Sequence, residues 1–407
     1  MGEPGGRPRI LVLNQYYWPG VEATANLLSQ LCESLSDEFE ITVMTGRLTG
    51  VASPAGRSEH NGVEIMRVNS TAFDRTRLVR RALNYFTYLV QSLRAAVTAQ
   101  RPDVVLCMTD PPIIGDVAVL VARRFRVPLV VISQDVFPEI AVELKRLENP
   151  LLIGLLRALI NAYLCRADRV VAIGETMRSR LEEKGAKRDR ITVIPNWVET
   201  EKIEVSPKSN PWSIEQSLDR HFVVMHSGNI GHAQDLESLV RAVTFLRDLD
   251  DLRIVLIGTG ARHQSLVELA ARLETDQVLF LPYQDRSLLS QSLSSADIHV
   301  VGLARGLSGY VVPSRLYGVL SAGRPVIAAA DAESETAQTV QRVGCGVVVP
   351  PGRPELLAAA IRSAYDGRLD LEEMGRRGRR FVTEEADRRG AVARYRSLLR
   401  ELVAERR

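Results

Sequence analysis

Residues 222–240 read Phe-Val-Val-Met-His-Ser-Gly-Asn-Ile-Gly-His-Ala-Gln-Asp-Leu-Glu-Ser-Leu-Val. A short apolar run rich in valine gives way at Ser227 to a loop with two glycines. From about Gln234 the apolar residues return at helical spacing. Strand, glycine turn and helix in that order form the unit from which parallel α/β sheets are built. Downstream the unit recurs, with strands predicted at Arg253–Ile257, Val278–Leu281, Ile298–Val301, Pro325–Ala328 and Gly346–Val349. Upstream the same rhythm runs through Arg9–Asn14, Glu40–Thr45, Glu64–Val68, Val104–Met108, Leu129–Ile132, Arg169–Ala172 and Ile191–Ile194. Helical patterns fill most of the gaps, so the expected class is α/β with two doubly wound domains facing a cleft. Between the two series, the segment EVSPKSNPWSIEQS, with prolines at 207 and 211, reads as an interdomain linker. The boundaries drawn are 1–200 for the first domain, 201–385 for the second and 386–407 for an Arg-rich closing helix. Its apolar positions, among them Val392, Tyr395, Leu399 and Leu402, suit packing on either domain.

Composition agrees with two ordinary cores. Of 407 residues, 45% are hydrophobic and 25% charged, which excludes disordered and low-complexity classes. A formal net charge of +3 is too small to imply a nucleic-acid partner. Cys32, Cys107, Cys165 and Cys345 show no paired spacing for zinc and read as buried residues of a reduced cytosol. The start MGEPGGRPRI lacks the apolar core of an export signal, and the runs 104–108, 117–122 and 127–132 are too short to cross a bilayer. The expected location is therefore the cytoplasm.

The residues that could carry chemistry lie on strand-end loops. After the first strand, Asn14-Gln15-Tyr16-Tyr17-Trp18-Pro19-Gly20 holds a single glycine and is no dinucleotide fingerprint. Gly20 before a helix start still permits a ligand to approach backbone N–H groups, and the three aromatics suit a substrate-lining loop. In the second half, Ser227-Gly228-Asn229 and Gly258-Thr259-Gly260 are candidate diphosphate loops; for the latter, a plain tight turn is an equal reading. Pro313-Ser314 marks a helix start and places Arg315 in the first turn, where a cation opposes the helix dipole unless an anion sits before it. Asp135, after the strand at 129–132, reads either as a helix N-cap or as a carboxylate that orients or deprotonates a hydroxyl, and Glu139 lies one turn on.

PSRLYGVLSAGRPVIAA, HSGNIGHAQDLESLV, IGTGARHQSL and SQDVFPEIAVEL together resemble family 4 of the retaining, nucleotide-sugar-dependent glycosyltransferases of GT-B fold. The likeness runs over essentially the whole chain. It is nearest to the bacterial surface-polysaccharide branch with colanic-acid and O-antigen N-acetylfucosamine-type transferases. The resemblance implies a family 4-like hexosyltransferase, with Gly20 near donor phosphate and acceptor. It places Ser227, Gly228, Asn229, Ser314 and Arg315 toward the donor diphosphate, and Pro282, Tyr283 and Gln284 around the nucleobase, while Gly258 joins the donor-binding candidates on its own loop reading. Asp135, Glu139 and Arg315 become the catalytic candidates. It further implies a UDP-sugar as co-substrate, a polyprenyl-linked saccharide acceptor, front-face transfer, and no metal or other cofactor.

The chain departs from the family pattern. Asn229 and Gln234 stand where many members have Arg and Lys, Tyr310 and Gly318 where many have a Glu pair, and Gln134 where the common form has His. Arg315 is left as the strongest cationic candidate. A non-catalytic partner subunit and a nucleotide-sugar 2-epimerase are the alternative readings. Finally, residues 73–90 mix arginines with aromatics at helical spacing, which suits either a crossover helix or a helix resting on the inner face of the plasma membrane.

Overall fold

The computed structural model describes residues 6–20, 22–48, 53–73 and 78–405. The chain divides into two compact units, Met1–Pro195 with Ala391–Arg407, and Asn196–Gly390. Each is a doubly wound α/β unit, as the alternating pattern predicts.

The first unit holds β1 (Arg9–Leu13), β2 (Glu40–Thr45), β3 (Gly56–His60), β4 (Val63–Arg67), β5 (Val104–Cys107), β6 (Leu129–Ser133), β7 (Arg169–Ala172) and β8 (Ile191–Val193). They form one sheet in the order β3-β4-β2-β1-β5-β6-β7-β8. The second unit holds β9 (Phe222–Ser227), β10 (Leu252–Ile257), β11 (Val278–Leu281), β12 (Ile298–Gly302), β13 (Val326–Ala329) and β14 (Gly346–Val349), in the order β11-β10-β9-β12-β13-β14. Every pairing is parallel except β3 with β4. Central strands such as β5, β6 and β12 are buried along their full length, which is why they read as continuous apolar runs.

β3 escapes the sequence reading because its residues, Gly-Arg-Ser-Glu-His, are polar and exposed. It is an edge strand, and charge on an edge discourages pairing with other chains. Its signal was the following Asn61-Gly62 pair, whose φ values of +48° and +76° form the hairpin turn into β4.

Residues 204–217 are not the expected linker. Asn210 caps a short helix, Pro211–Glu215, accepting from Ser213 N–H at 3.1 Å. Trp212 is only 2% exposed and packs with Leu218, Val223, Met225, Val255 and Ile257. A tryptophan beside prolines in a polar stretch has more area to bury than a linker can leave in water. The last helix, Arg388–Ala404, places its residues from Ala391 onward in the first unit, where Arg396 pairs with Asp37 and Arg400 with Glu38. Three cysteines are buried as expected, but Cys165 is exposed.

Trp212→Ala is expected to lower the stability of the second unit by about 3–5 kcal/mol in denaturant unfolding. A linker position would give less than about 0.5 kcal/mol.

Candidate functional site

In the second unit β9 pairs with β10 on one side and β12 on the other, and the direction of winding reverses between them. Loops leaving the carboxyl ends of two such strands diverge and open a crevice, the usual ligand position in this architecture. The β9 loop, 228–231, and the segment after β12 that ends at Arg315 border that point.

The β9 loop is held by its neighbour. Gly228 N–H donates to Ile257 O at 2.9 Å, Ile230 N–H to Thr259 O at 2.8 Å, and Arg262 N–H to Ile230 O at 3.0 Å. Gly258 has φ +135°, and a Cβ there would sit 2.0 Å from the Gly228 carbonyl oxygen. Only glycine lets the two backbones pass so closely. Gly258 therefore shapes the Gly228 loop through the backbone.

Arg315 opens the helix Arg315–Ser321, and its guanidinium carbon lies 3.5 Å from the position of a Gly228 Cβ. Its Nη1 donates to His226 Nε2 at 2.5 Å, and its Nη2 reaches Asn229 O at 3.5 Å. A guanidinium only donates, so the facing ring nitrogen must offer a lone pair. The other nitrogen, Nδ1, lies 3.3 Å from Val300 O and 3.2 Å from the same Nη1, and the tautomer with its proton on Nδ1, aimed at Val300 O, is the one that leaves Nε2 free to accept. Burial, and then the Arg315 charge, hold the His226 pKa well below the ordinary histidine range. Burial also brings Arg315 down to about 10, against the opposing influence of Tyr283, so it stays charged at neutral pH. Among the described residues no carboxylate forms an ion pair with it. A cation positioned by a neutral imidazole keeps its field for an anion.

The remaining donor candidates surround this pair unevenly. Ser227 ends β9 and Asn229 is exposed in the loop. Ser314 occupies the position before the helix, but its φ and ψ are helical and its hydroxyl makes no capping bond. Tyr283 is exposed and near enough for Arg315 to act on its phenol. The side chain of Gln284 is engaged, accepting from Trp212 Nε1 at 2.8 Å and donating to Pro282 O at 2.8 Å.

The first unit has its own reversal, between β1 and β5. Gly20 N–H donates to Tyr17 O at 2.8 Å, and a Cβ on Gly20 would lie 2.9 Å from that same oxygen. Tyr16 and Tyr17 are buried rather than lining a loop surface, because the turn tucks them into the core. Trp18 is exposed and stacks on His60, with ring centroids 3.8 Å apart.

Of the two carboxylates, the structure separates the roles. Glu139 accepts from Lys184 Nζ at 2.8 Å and Arg157 Nε at 3.1 Å. Burial raises its pKa, but these bonds outweigh that and leave it below the ordinary range, which removes Glu139 as a proton acceptor. Asp135 is pushed up to about 7 by burial and then by the charge of Asp110. A carboxylate with such a pKa is matched to proton transfer near neutrality. Asp110 follows β5, accepts from Thr24 Oγ1 at 3.1 Å, and gives its carbonyl to Gln15 N–H at 2.8 Å. Sequence reasoning passed over Asp110 and His226. An Asp between a strand end and Pro-Pro, and a His inside an apolar strand, were the available signals.

In the membrane stretch proposed from sequence, residues 74–77 lie outside the described residues. Helix Leu78–Val97 buries Asn84 and Tyr88 and exposes Leu83 and Phe86.

Residues 20–197 match the model of the glycosyl transferase 4-like domain, and residues 212–381 that of glycosyl transferases group 1. The chain is a glycosyltransferase of GT-B fold. It is 26% identical to the protein named "Probable glycosyltransferase WbjE" of Pseudomonas aeruginosa over 98% of this chain and 99% of that one. Over 48% of this chain and 49% of the relative it is 30% identical to WcaI of Escherichia coli (strain K12), a protein named for colanic acid biosynthesis. Among solved structures, sucrose-phosphate synthase from Thermosynechococcus elongatus superimposes with a TM-score of 0.78 at 17% identity, covering 98% of this glycosyltransferase and 100% of that chain. Anabaena HepE in complex with UDP and glucose gives a TM-score of 0.74 at 15% identity, with 97% and 100% covered.

Gly258→Ala is expected to destabilise the protein by more than about 1 kcal/mol and to weaken nucleotide binding, read by unfolding and calorimetry. For Asp135, kcat/KM should rise with pH through an acid limb near 7, as the carboxylate loses its proton. With the ionised carboxylate orienting the acceptor hydroxyl, Asp135→Asn should abolish the limb and lower kcat/KM by about tenfold to a hundredfold, the loss of one charged hydrogen bond of about 1.5–3 kcal/mol.

Proposed function

We propose that the second unit binds the diphosphate of a UDP-sugar and that the first unit presents a lipid-linked saccharide, whose hydroxyl receives the sugar in surface-polysaccharide synthesis. The observation that carries the donor half is the charged guanidinium of Arg315, fixed by neutral His226 against a glycine loop at a strand-order reversal. Ser227, Gly228, Asn229 and Ser314 supply further donors around it, Tyr283 and the backbone of Gln284 border the base, and Gly20 borders the acceptor. UDP is favoured because the HepE structures of the same fold hold it, and polysaccharide because WcaI is named for colanic acid. The motifs also resemble the N-acetylfucosamine-type branch.

Transfer proceeds with retention. The bond from the anomeric carbon to the diphosphate oxygen breaks, and the bond to the acceptor oxygen forms on the same face. The acceptor proton passes to the departing diphosphate oxygen, with Asp135 orienting the hydroxyl. The Arg315 charge stabilises the leaving diphosphate, a role that otherwise falls to a metal, so the reaction is proposed to need neither metal nor another cofactor. A lipid-linked acceptor places the enzyme at the inner face of the plasma membrane, and helix Leu78–Val97, with Arg80 and exposed Phe86, supports that position.

A thermal-shift comparison of UDP, GDP and dTDP, followed by transfer to lipid extract from the UDP-sugar, tests the reading. UDP should stabilise the protein most, and transfer should occur with retained anomeric configuration. Arg315→Ala should weaken the donor interaction by about 1.5–3 kcal/mol, a loss of tenfold to a hundredfold or more. Undiminished activity in that variant, an epimerised free donor, or donor binding without transfer would each overturn it.

A further inference from the structure

In the first unit β2 separates the edge hairpin β3–β4 from β1, whose following loop, 14–20, ends at Gly20. Hairpin and loop nevertheless meet at one residue, Trp18, and the contact is double. Arg67, the last residue of β4, donates from Nη2 to Trp18 O at 2.8 Å and from Nη1 to Gly46 O at 2.8 Å. His60, the last residue of β3, stacks on the Trp18 ring with centroids 3.8 Å apart and planes 16° from parallel.

Arg67 is a costly residue to place there. It is only 7% exposed, burial lowers its pKa, and among the described residues no carboxylate forms an ion pair with it. A charge buried without a counter-charge is destabilising, and an apolar side chain in its place would avoid that penalty. What the guanidinium supplies is a rigid fork that makes charge-assisted bonds to two carbonyls at once, one on each of the segments leaving β1 and β2.

Those two segments are joined again one step further in. Gly46 N–H and Thr45 Oγ1 both donate to Gln15 O, at 3.1 and 2.8 Å. Gln15 N–H in turn donates to the carbonyl of Asp110 at 2.8 Å. The loop is thus gripped near its start through β2 and β5, and near its end through β4. Only Pro19, with its fixed φ, separates Trp18 from Gly20, whose N–H closes on Tyr17 O at 2.8 Å. A shift of the Trp18 carbonyl is therefore passed to the Gly20 turn.

We propose that Arg67 is a positioning residue for sugar transfer. Through the Trp18 carbonyl it fixes the turn that ends at Gly20, while His60 holds the Trp18 ring from the same hairpin. Arg67 acts through the backbone of the loop and not on the sugar. The inference rests on Gly20 bordering the acceptor, as proposed above, and adds the element that keeps it in place.

The test uses Arg67→Lys, which keeps the charge and most of the buried stem but lacks the fork, and His60→Ala, a change on the exposed edge strand. For each, kcat and KM of transfer are measured alongside UDP thermal shift and acrylamide quenching of tryptophan fluorescence. Of the three tryptophans Trp18 is 40% exposed, Trp197 6% and Trp212 2%, so quenching reports Trp18. Arg67→Lys should lower kcat by about tenfold to a hundredfold, as a small misplacement beside the reacting groups does. His60→Ala should lower kcat by less. In both variants quenching should increase as Trp18 is released, while donor KM and UDP stabilisation stay at wild-type values. A folded Arg67→Lys protein with wild-type kcat overturns the proposal, as does one whose UDP stabilisation falls along with kcat. Quenching equal to wild type in both variants also overturns it. Wild-type protein that binds UDP but transfers to no acceptor would count against the acceptor reading, and the quenching comparison would still decide whether the hairpin holds the loop.

Discussion

The site depends on a charge that the fold keeps without neutralising it. Arg315 is held by the lone pair of a buried imidazole, and the imidazole in turn is oriented by a strand carbonyl. Had a carboxylate taken the place of His226, the ion pair would be self-satisfied and an incoming diphosphate would have to compete with it. A neutral acceptor fixes geometry while leaving the field available. Gly258 completes the arrangement, because a side chain there would stand where the Gly228 carbonyl passes, and Gly228 itself takes a φ of +134° that favours glycine.

The two units divide titrating chemistry in opposite ways. Around β9 a histidine is held neutral and an arginine keeps its proton, so this pair hardly changes charge near neutrality. Around β5 and β6 burial and a second carboxylate lift Asp135 into the physiological range. Glu139, one turn on, is locked by Lys184 and Arg157. Similar residue types thus acquire opposite protonation behaviour from their partners.

Much of this was legible in the sequence. Parallel strands buried on both faces announce themselves as apolar runs, and the strand-end position of Ser227–Asn229 followed from them, while Pro313-Ser314 marked the helix start that carries Arg315. What remained hidden depended on partners remote in the chain. Nothing near Glu139 reveals Lys184, 45 residues on, and nothing near Arg315 reveals His226, 89 residues earlier. Trp212 looked like part of a linker because prolines and polar residues surround it. Tyr16 and Tyr17 looked like a ligand surface because sequence cannot show which way a turn folds its rings.

The most direct measurement is a calorimetric double-mutant cycle on UDP affinity using His226→Phe, Arg315→Ala and the two combined. If the imidazole acts by positioning the guanidinium, each single change weakens binding and the double variant binds no more weakly than Arg315→Ala alone. Independent, additive losses, or an Arg315→Ala protein with undiminished affinity, would contradict the account.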